Sequence, residues 1–193
     1  LDKITDVTGH PDSGGDAGVA LRVIADHLRS LSFAVADGAL PSNEGRGYVL
    51  RRMLRRATRF GRVLNMHEPF IYKLVPILTE VMGNAFPELN KQQEHVQNVI
   101  QAEEISFGST LDRGLEIFQK MISNSETKSS KIISGEDAFK LYDTYGFPVD
   151  LTRLMSKEHG LEVDEKSFEK LMKEQQDRAR DAGKFKTIPD KWS

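Results

Sequence analysis

The chain has 193 residues, with 27 lysines and arginines against 29 aspartates and glutamates, and it has no cysteine. The net charge of −2 excludes a protein that coats nucleic acid with its whole surface, so any site for a polyanion must be local. The missing cysteines exclude disulfides, thiolate zinc sites and cysteine nucleophiles. No apolar run approaches the roughly 20 residues of a membrane span, so we expect no membrane partner.

Helical periodicity dominates from the start of the chain. A short helix and the loop 10–15 come first, and Asp16 is expected to cap a second helix that ends near Gly38. The chain begins at Leu1 and not at an initiator methionine. We therefore interpret it as a fragment of a longer protein.

A local concentration of positive charge follows, because residues 45–62 contain seven arginines and no acid. Apolar side chains at helical spacing predict one buried face: Leu50, Met53, Leu54 and Ala57. The arginines occupy the opposite side: Arg51, Arg55, Arg59 and Arg62, with Arg52 and Arg56 beside them. Guanidinium groups bind phosphate oxygens two at a time, which favours a phosphate-backbone interface. The alternative is a solvated helix paired with acids elsewhere in the protein.

Two further helices complete the first half of the chain. The segment 68–83 is predicted as one apolar helix with a kink at Pro76. Residues 87–123 are predicted as one long helix of about 50 Å. Glu103 and Glu104 are adjacent on that helix, where neighbouring side chains diverge by about 100°, so we interpret them as part of a solvated face.

The polar, serine-rich segment 124–131 is interpreted as a linker between two packed helical sub-bundles, residues 1–123 and 132–193. In the second sub-bundle Ser134 and Asp164 are expected to cap helices. The fold class is therefore all-α, with two packed sub-bundles and a long central helix.

Motifs for catalysis and for metal binding are missing from the sequence. The five histidines form no HxxxH or HExxH pair, and neither a Walker loop nor a dinucleotide-binding glycine motif is present. We assign no catalytic residue and no metal ligand.

Two polar residues are candidates for reading a base. Asn43 precedes the arginine-rich helix, where it is either a turn residue or an amide with a donor and an acceptor for a base edge. Asp143 should lie off the buried stripe of its helix, and its carboxylate accepts from an exocyclic amine. The aromatic residues around it, within 142–147, are interpreted as core.

Three segments of the chain resemble alanyl-tRNA synthetase in their residues, their order and their spacing along the chain. They are ADHLR at 25–29, NEGRGYVLRR at 43–52 and LYDTYGFPVDL at 141–151. The resemblance implies that residues 1–193 are the helical tRNA-recognition domain, which lies between the class II catalytic core and the editing domain. Those two domains are the expected partners within the full-length chain.

The resemblance also implies a function. The full enzyme attaches alanine to its tRNA with ATP and Mg²⁺, and its editing domain holds Zn²⁺, whereas this fragment alone is expected to be non-catalytic. The tRNA is identified by a G·U wobble pair in the acceptor stem, which Asn43 and Asp143 contact. The residues expected at the RNA backbone are Arg46, Arg51, Arg52, Arg55 and Arg59. The expected location is cytoplasmic, or mitochondrial or otherwise organellar.

A second interpretation comes from a different class of protein. The arginine-rich face could belong to a helical protein-interaction domain that meets an acidic partner. Asn43 and Asp143 at the family's spacing discriminate between the two, because an acidic partner would not require them.

Overall fold

The structure is a computed structural model that describes residues 2–11 and 14–184. Its α-helices are α1 (Asp2–Thr8), α2 (Gly15–Ala36), α3 (Gly45–Val63), α4 (Val75–Met82), α5 (Pro87–Ser123), α6 (Ser125–Ser130), α7 (Gly135–Asp143), α8 (Val149–Glu158) and α9 (Glu165–Lys184). A 3-10 helix spans Ile71–Leu74, and two short parallel strands, β1 (Ile132–Ile133) and β2 (Glu162–Val163), pair with each other. The predicted all-α fold class is confirmed. No helix within the described ranges combines the length and the apolar character needed to cross a membrane.

The chain divides into two compact units, residues 1–112 and 113–193. The division falls within α5, which is 37 residues long and has the bounds predicted from the sequence. We expected the division at 124–131, where the structure instead forms α6. Asn124 caps this helix, because its Oδ1 accepts from the backbone N–H of Glu126 at 3.2 Å. That residues 1–193 serve as one tRNA-recognition domain stays a prediction.

The core of the first unit is formed mainly by α2 and α3, which pack against each other. The apolar face predicted for α3 is confirmed, since Leu50, Leu54 and Ala57 are buried and Met53 packs partly buried beside them. Burial of this stripe fixes the rotation of α3 about its axis. It thereby determines which arginines lie near solvent and which lie near neighbouring helices.

The second unit is built around α7, which packs against α8 and α9. Its buried side chains include Leu141, Phe147, Leu151 and Phe168. Both predicted helix caps are confirmed: Ser134 Oγ accepts from the N–H of Asp137 at 3.1 Å, and Asp164 Oδ1 accepts from the N–H of Ser167 at 3.1 Å. These caps fix where α7 and α9 begin.

Two of the predicted helix boundaries are wrong. Gly14, at φ 83°, precedes α2, and Asp16 lies in the first turn without capping it by a side-chain hydrogen bond. Pro76 does not kink a helix over 68–83; it lies in the first turn of α4, after the 3-10 helix. Proline is tolerated at that position because the first N–H groups of a helix have no partner within it.

Candidate nucleic-acid interface

The loop before α3 folds back on the first turn of that helix and presents Asn43 to solvent. The backbone N–H of Ser42 donates to the carbonyl of Gly47 at 3.0 Å, and Ser42 Oγ donates to the carbonyl of Glu44 at 2.9 Å. The approach is so close that a Cβ on Gly47 would overlap Ser42 Oγ and the carbonyl oxygen of Leu40. Glycine at this position therefore lets the loop place Asn43 beside the arginines.

Arg51 contacts both Asn43 and an acid from α5. Its Nη1 donates a hydrogen bond to Oδ1 of Asn43. Its Nε lies 3.0 Å from Oε1 of Glu103. The side chain of Arg51 is only 23% exposed and that of Glu103 only 9%, so the contact is largely shielded from water. Asn43 is thus linked through Arg51 to the interior of the first unit.

The expectation that Glu103 and Glu104 form a solvated face is wrong, because both are buried. Glu103 Oε1 also accepts from Nε of Arg55 at 3.2 Å, and the Arg55 guanidinium lies 4.8 Å from the ring centroid of Phe107. The two glutamates do diverge on the helix, as helical geometry requires, but each meets a different partner inside the protein. Glu103 neutralises part of the charge of α3.

Glu104 caps the start of the neighbouring 3-10 helix. Its Oε1 accepts from the backbone N–H groups of Phe70 and Ile71, both at 3.0 Å, and its Oε2 accepts from that of Tyr72 at 3.1 Å. Burial raises the pKa of the Glu104 carboxyl, and the three N–H donors and Lys73 oppose that shift. Its role is structural, since it satisfies backbone donors that would otherwise be buried without partners.

Arg62, the last arginine of α3, is occupied within the first unit. Its Nε lies 2.6 Å from Oδ1 of Asp112, and its Nη1 donates to the carbonyl of Met66 at 2.5 Å. Its side chain is only 9% exposed. The predicted row of guanidiniums is therefore not uniform, because Arg51, Arg55 and Arg62 have acidic partners on α5.

The remaining arginines are arranged differently. Arg46 and Arg52 are exposed, whereas Arg59 is half-buried. The guanidinium of Arg52 lies 6.0 Å from the ring centroid of Tyr48, and that of Arg59 lies 5.0 Å from that of Phe60. Stacking on a ring leaves the edge of the guanidinium plane able to donate. The exposed positive charge of α3 is concentrated towards its first half.

Asp143 is the last residue of α7 and is exposed, as predicted from its position off the buried stripe. Gln175, on α9, donates a hydrogen bond from Nε2 to its Oδ1. The aromatic residues around it are only partly core: Phe147 is fully buried, but Tyr142 is 37% exposed and packs its edge against Phe168. The carboxylate is accessible to a ligand and is oriented by one neighbour.

Neither Gln175 nor Glu103 was predicted from the sequence to contact a candidate residue. Helical spacing relates residues on one helix, whereas Gln175 and Asp143 are 32 positions apart and Arg55 and Glu103 are 48 apart. The lack of an acid within 45–62 could have indicated such a partner, because half-buried arginines then require acids from another helix.

Each unit presents polar groups suited to nucleic acid. In the first unit the exposed cations suit a phosphate backbone and the Asn43 amide suits a base edge; in the second unit the Asp143 carboxylate suits a base edge. Among residues 2–11 and 14–184, no cluster of three or more histidine, aspartate or glutamate side chains could hold a metal ion.

Comparison with known proteins gives the family of the chain. The family described as tRNA synthetases class II (A) matches residues 1–192. Alanine–tRNA ligases from Chlorobaculum tepidum and Chlorobium phaeobacteroides are 57% and 54% identical over 93% of the chain, which spans 21% of each relative. The same enzyme from Listeria innocua is 53% identical over 85% of the chain and 19% of its own length. The chain spans about a fifth of these relatives and resembles alanyl-tRNA synthetase as its motifs indicated; it belongs to the class II (A) tRNA synthetase family.

Proposed function

We propose that this chain recognises the acceptor stem of alanine tRNA at its G·U wobble pair, as part of an enzyme that attaches alanine to that tRNA with ATP. The observation that carries the proposal is the exposed amide of Asn43, held beside the exposed arginines of α3 by a hydrogen bond from Arg51. Family membership supports tRNA as the partner.

The chemistry of a wobble pair fits the two candidate residues. The guanine of a G·U pair has a 2-amino group in the minor groove that uracil does not engage. The exposed carboxylate of Asp143 can accept from that group, and the amide of Asn43 can contact the other positions of the pair. The minor groove of an RNA helix is wide and shallow, so side chains reach it.

The arginines act in a different way from these two residues. Contacts from Arg46, Arg52 and Arg59, and from the N–H groups of Arg55 that Glu103 does not bind, hold the phosphate backbone in register. Such contacts position the stem and carry no sequence information.

Catalysis belongs to other parts of the full-length enzyme. The chain spans about a fifth of its relatives, alanine–tRNA ligases. In the proposal, ATP and Mg²⁺ act in the catalytic core and Zn²⁺ in the editing domain, while this fragment alone neither activates alanine nor charges tRNA. Because charged tRNA is used in protein synthesis, we expect the enzyme in the cytoplasm or in an organelle.

Binding to two RNA minihelices that differ in one base pair tests the proposal. We expect tighter binding to an acceptor stem with G·U than to one with G·C. Asn43→Ala and Asp143→Ala should each reduce that preference about 10- to 100-fold. This corresponds to the loss of about 1–3 kcal/mol when one base-edge hydrogen bond is removed. Equal affinity of the unmodified chain for both stems would exclude wobble recognition.

A further inference from the structure

We propose that Arg51 is a positioning residue, which Glu103 holds in place and which fixes the Asn43 amide with its oxygen towards the protein. The inference deepens the proposed function and rests on it. It gives Arg51 a role in reading the base pair, which differs from the backbone contact expected from the sequence.

The donor chemistry of arginine determines which way the amide faces. A guanidinium has only N–H donors, so the Asn43 atom that it contacts must be the acceptor, Oδ1. An exposed asparagine without such a neighbour could present either its oxygen or its nitrogen to a ligand. The contact with Arg51 removes that ambiguity.

Glu103 makes the orientation firm. Its carboxylate is buried, and it lies within 3.2 Å of the Nε atoms of both Arg51 and Arg55. Arg51 would otherwise lose rotamer entropy when a ligand ordered it. Here the fold has ordered it already, so the amide is pre-organised before any RNA binds.

A held oxygen leaves the Asn43 nitrogen, which is a donor only, for the ligand. The minor-groove acceptors of a base pair are the O2 of a pyrimidine and the N3 of a purine. Asn43 would therefore donate, while Asp143 accepts from the guanine 2-amino group.

The contacts that Arg51 already makes within the protein also argue against a mainly electrostatic role in RNA binding. Its Nε lies 3.0 Å from Oε1 of Glu103 as an ion pair without hydrogen-bond geometry, and its Nη1 donates to Asn43. Arg46, in the first turn of the same helix, is exposed and provides the comparison. Loss of a positioning residue should change selectivity, whereas loss of a phosphate contact should change affinity for every stem.

The experiment compares Arg51→Lys, Arg51→Ala and Arg46→Ala in binding to the G·U and G·C minihelices at several salt concentrations. Lysine keeps the charge beside Glu103, but its single ammonium cannot reproduce the two-sided contact. We expect Arg51→Lys to lower the G·U preference about 5- to 30-fold with little change in salt dependence. Arg46→Ala should weaken both complexes equally and reduce the salt slope.

A measurement without RNA separates this inference from the proposed function. The order parameter of the Asn43 side-chain NH₂ group, from ¹⁵N relaxation, should be high in the unmodified chain and fall in Arg51→Lys. If the unmodified chain shows no G·U preference although this order parameter is high, the proposed function fails and the orientation stands. If Arg51→Lys keeps both the preference and the order parameter, or if Arg51→Ala lowers both affinities equally with a smaller salt slope, the positioning role is wrong. Thermal unfolding of each variant separates these outcomes from loss of the fold.

Discussion

Arg62 and Asp112 form a two-point ion pair between α3 and α5. Nε of the arginine lies 2.6 Å from one carboxylate oxygen, and Nη2 lies 3.2 Å from the other. An arginine held in this way contributes to the packing of two helices. A count of positive charges on α3 therefore overstates the number that can meet a phosphate.

Arg62→Ala should lower stability and leave RNA binding nearly intact. The change removes hydrogen bonds from a charged group to Asp112 and to the carbonyl of Met66, so we expect a loss of about 1–3 kcal/mol in the free energy of unfolding. Denaturant unfolding measures this loss. An unchanged midpoint together with a smaller salt slope of RNA binding would instead make Arg62 a phosphate contact.

Arg52→Ala should weaken binding to G·U and G·C stems by the same factor. Arg52 is exposed and lies over the ring of Tyr48, so its guanidinium edge can face a phosphate. For each phosphate that the variant no longer neutralises, the slope of log K against log salt should fall by about 0.7–0.9. Titrations at three or more salt concentrations check this, and a change in the ratio of the two affinities would contradict it.

Gln175→Ala should reduce the G·U preference without reducing affinity in general. Gln175 orients the Asp143 carboxylate by a hydrogen bond to Oδ1, and without it the carboxylate samples more rotamers. We expect a loss of selectivity of up to about 10-fold. Gln176→Ala, at the neighbouring exposed position of α9, is the matched control and should behave like the unmodified chain. Identical selectivity of the two variants would show that Gln175 is not needed.

Acidification should destabilise the first unit through His27. Burial, and next the charge of Arg56, lower the pKa of this imidazole, while Asp26 opposes the shift. The unfolded chain therefore binds more protons than the folded chain below about pH 6.5, so stability rises with pH there and is lost as pH falls towards the folded pKa. His27→Gln should flatten the unfolding free energy between pH 5 and about pH 7. An unchanged slope in His27→Gln would show that another group causes the loss of stability.

Gly114→Ala should destabilise the second unit. A Cβ at this position of α5 would lie 2.6 Å from Cγ and Cε2 of Phe147, whose ring is fully buried. Overpacking of this kind costs about 1–3 kcal/mol. Gly108→Ala is the matched control on the same helix, since its Cβ would meet only Arg62 Nη2 at 4.0 Å. Alanine there should stabilise the helix by up to about 1 kcal/mol.

Local patterns predicted most of the helices because the period of apolar residues reports which face is buried. The bounds of α5 and the buried face of α3 followed directly from that period. Pro76 could not be placed in this way, because proline is compatible both with a kink and with a first turn. The choice depends on Glu104, which holds the start of the preceding 3-10 helix from a distant part of the sequence.

The same distinction between local and distant residues applies to the candidate functional residues. Asn43 and Asp143 were identified because they belong to contiguous motifs, and both are exposed as a binding role requires. Their orienting neighbours were not all found. Arg51 was assigned only to the backbone, and Gln175 was missed, since no spacing rule connects residues on different helices.

Because Glu103 is on α5, an isolated α3 would not keep the side-chain arrangement that it has in the protein. A synthetic peptide of residues 45–63 would carry the same seven arginines, but without α5 it would lack the acid that holds two of them. Such a peptide would bind polyanions of many kinds through flexible guanidiniums. The acid that orients these arginines of α3 belongs to α5, which begins 24 residues after α3 ends.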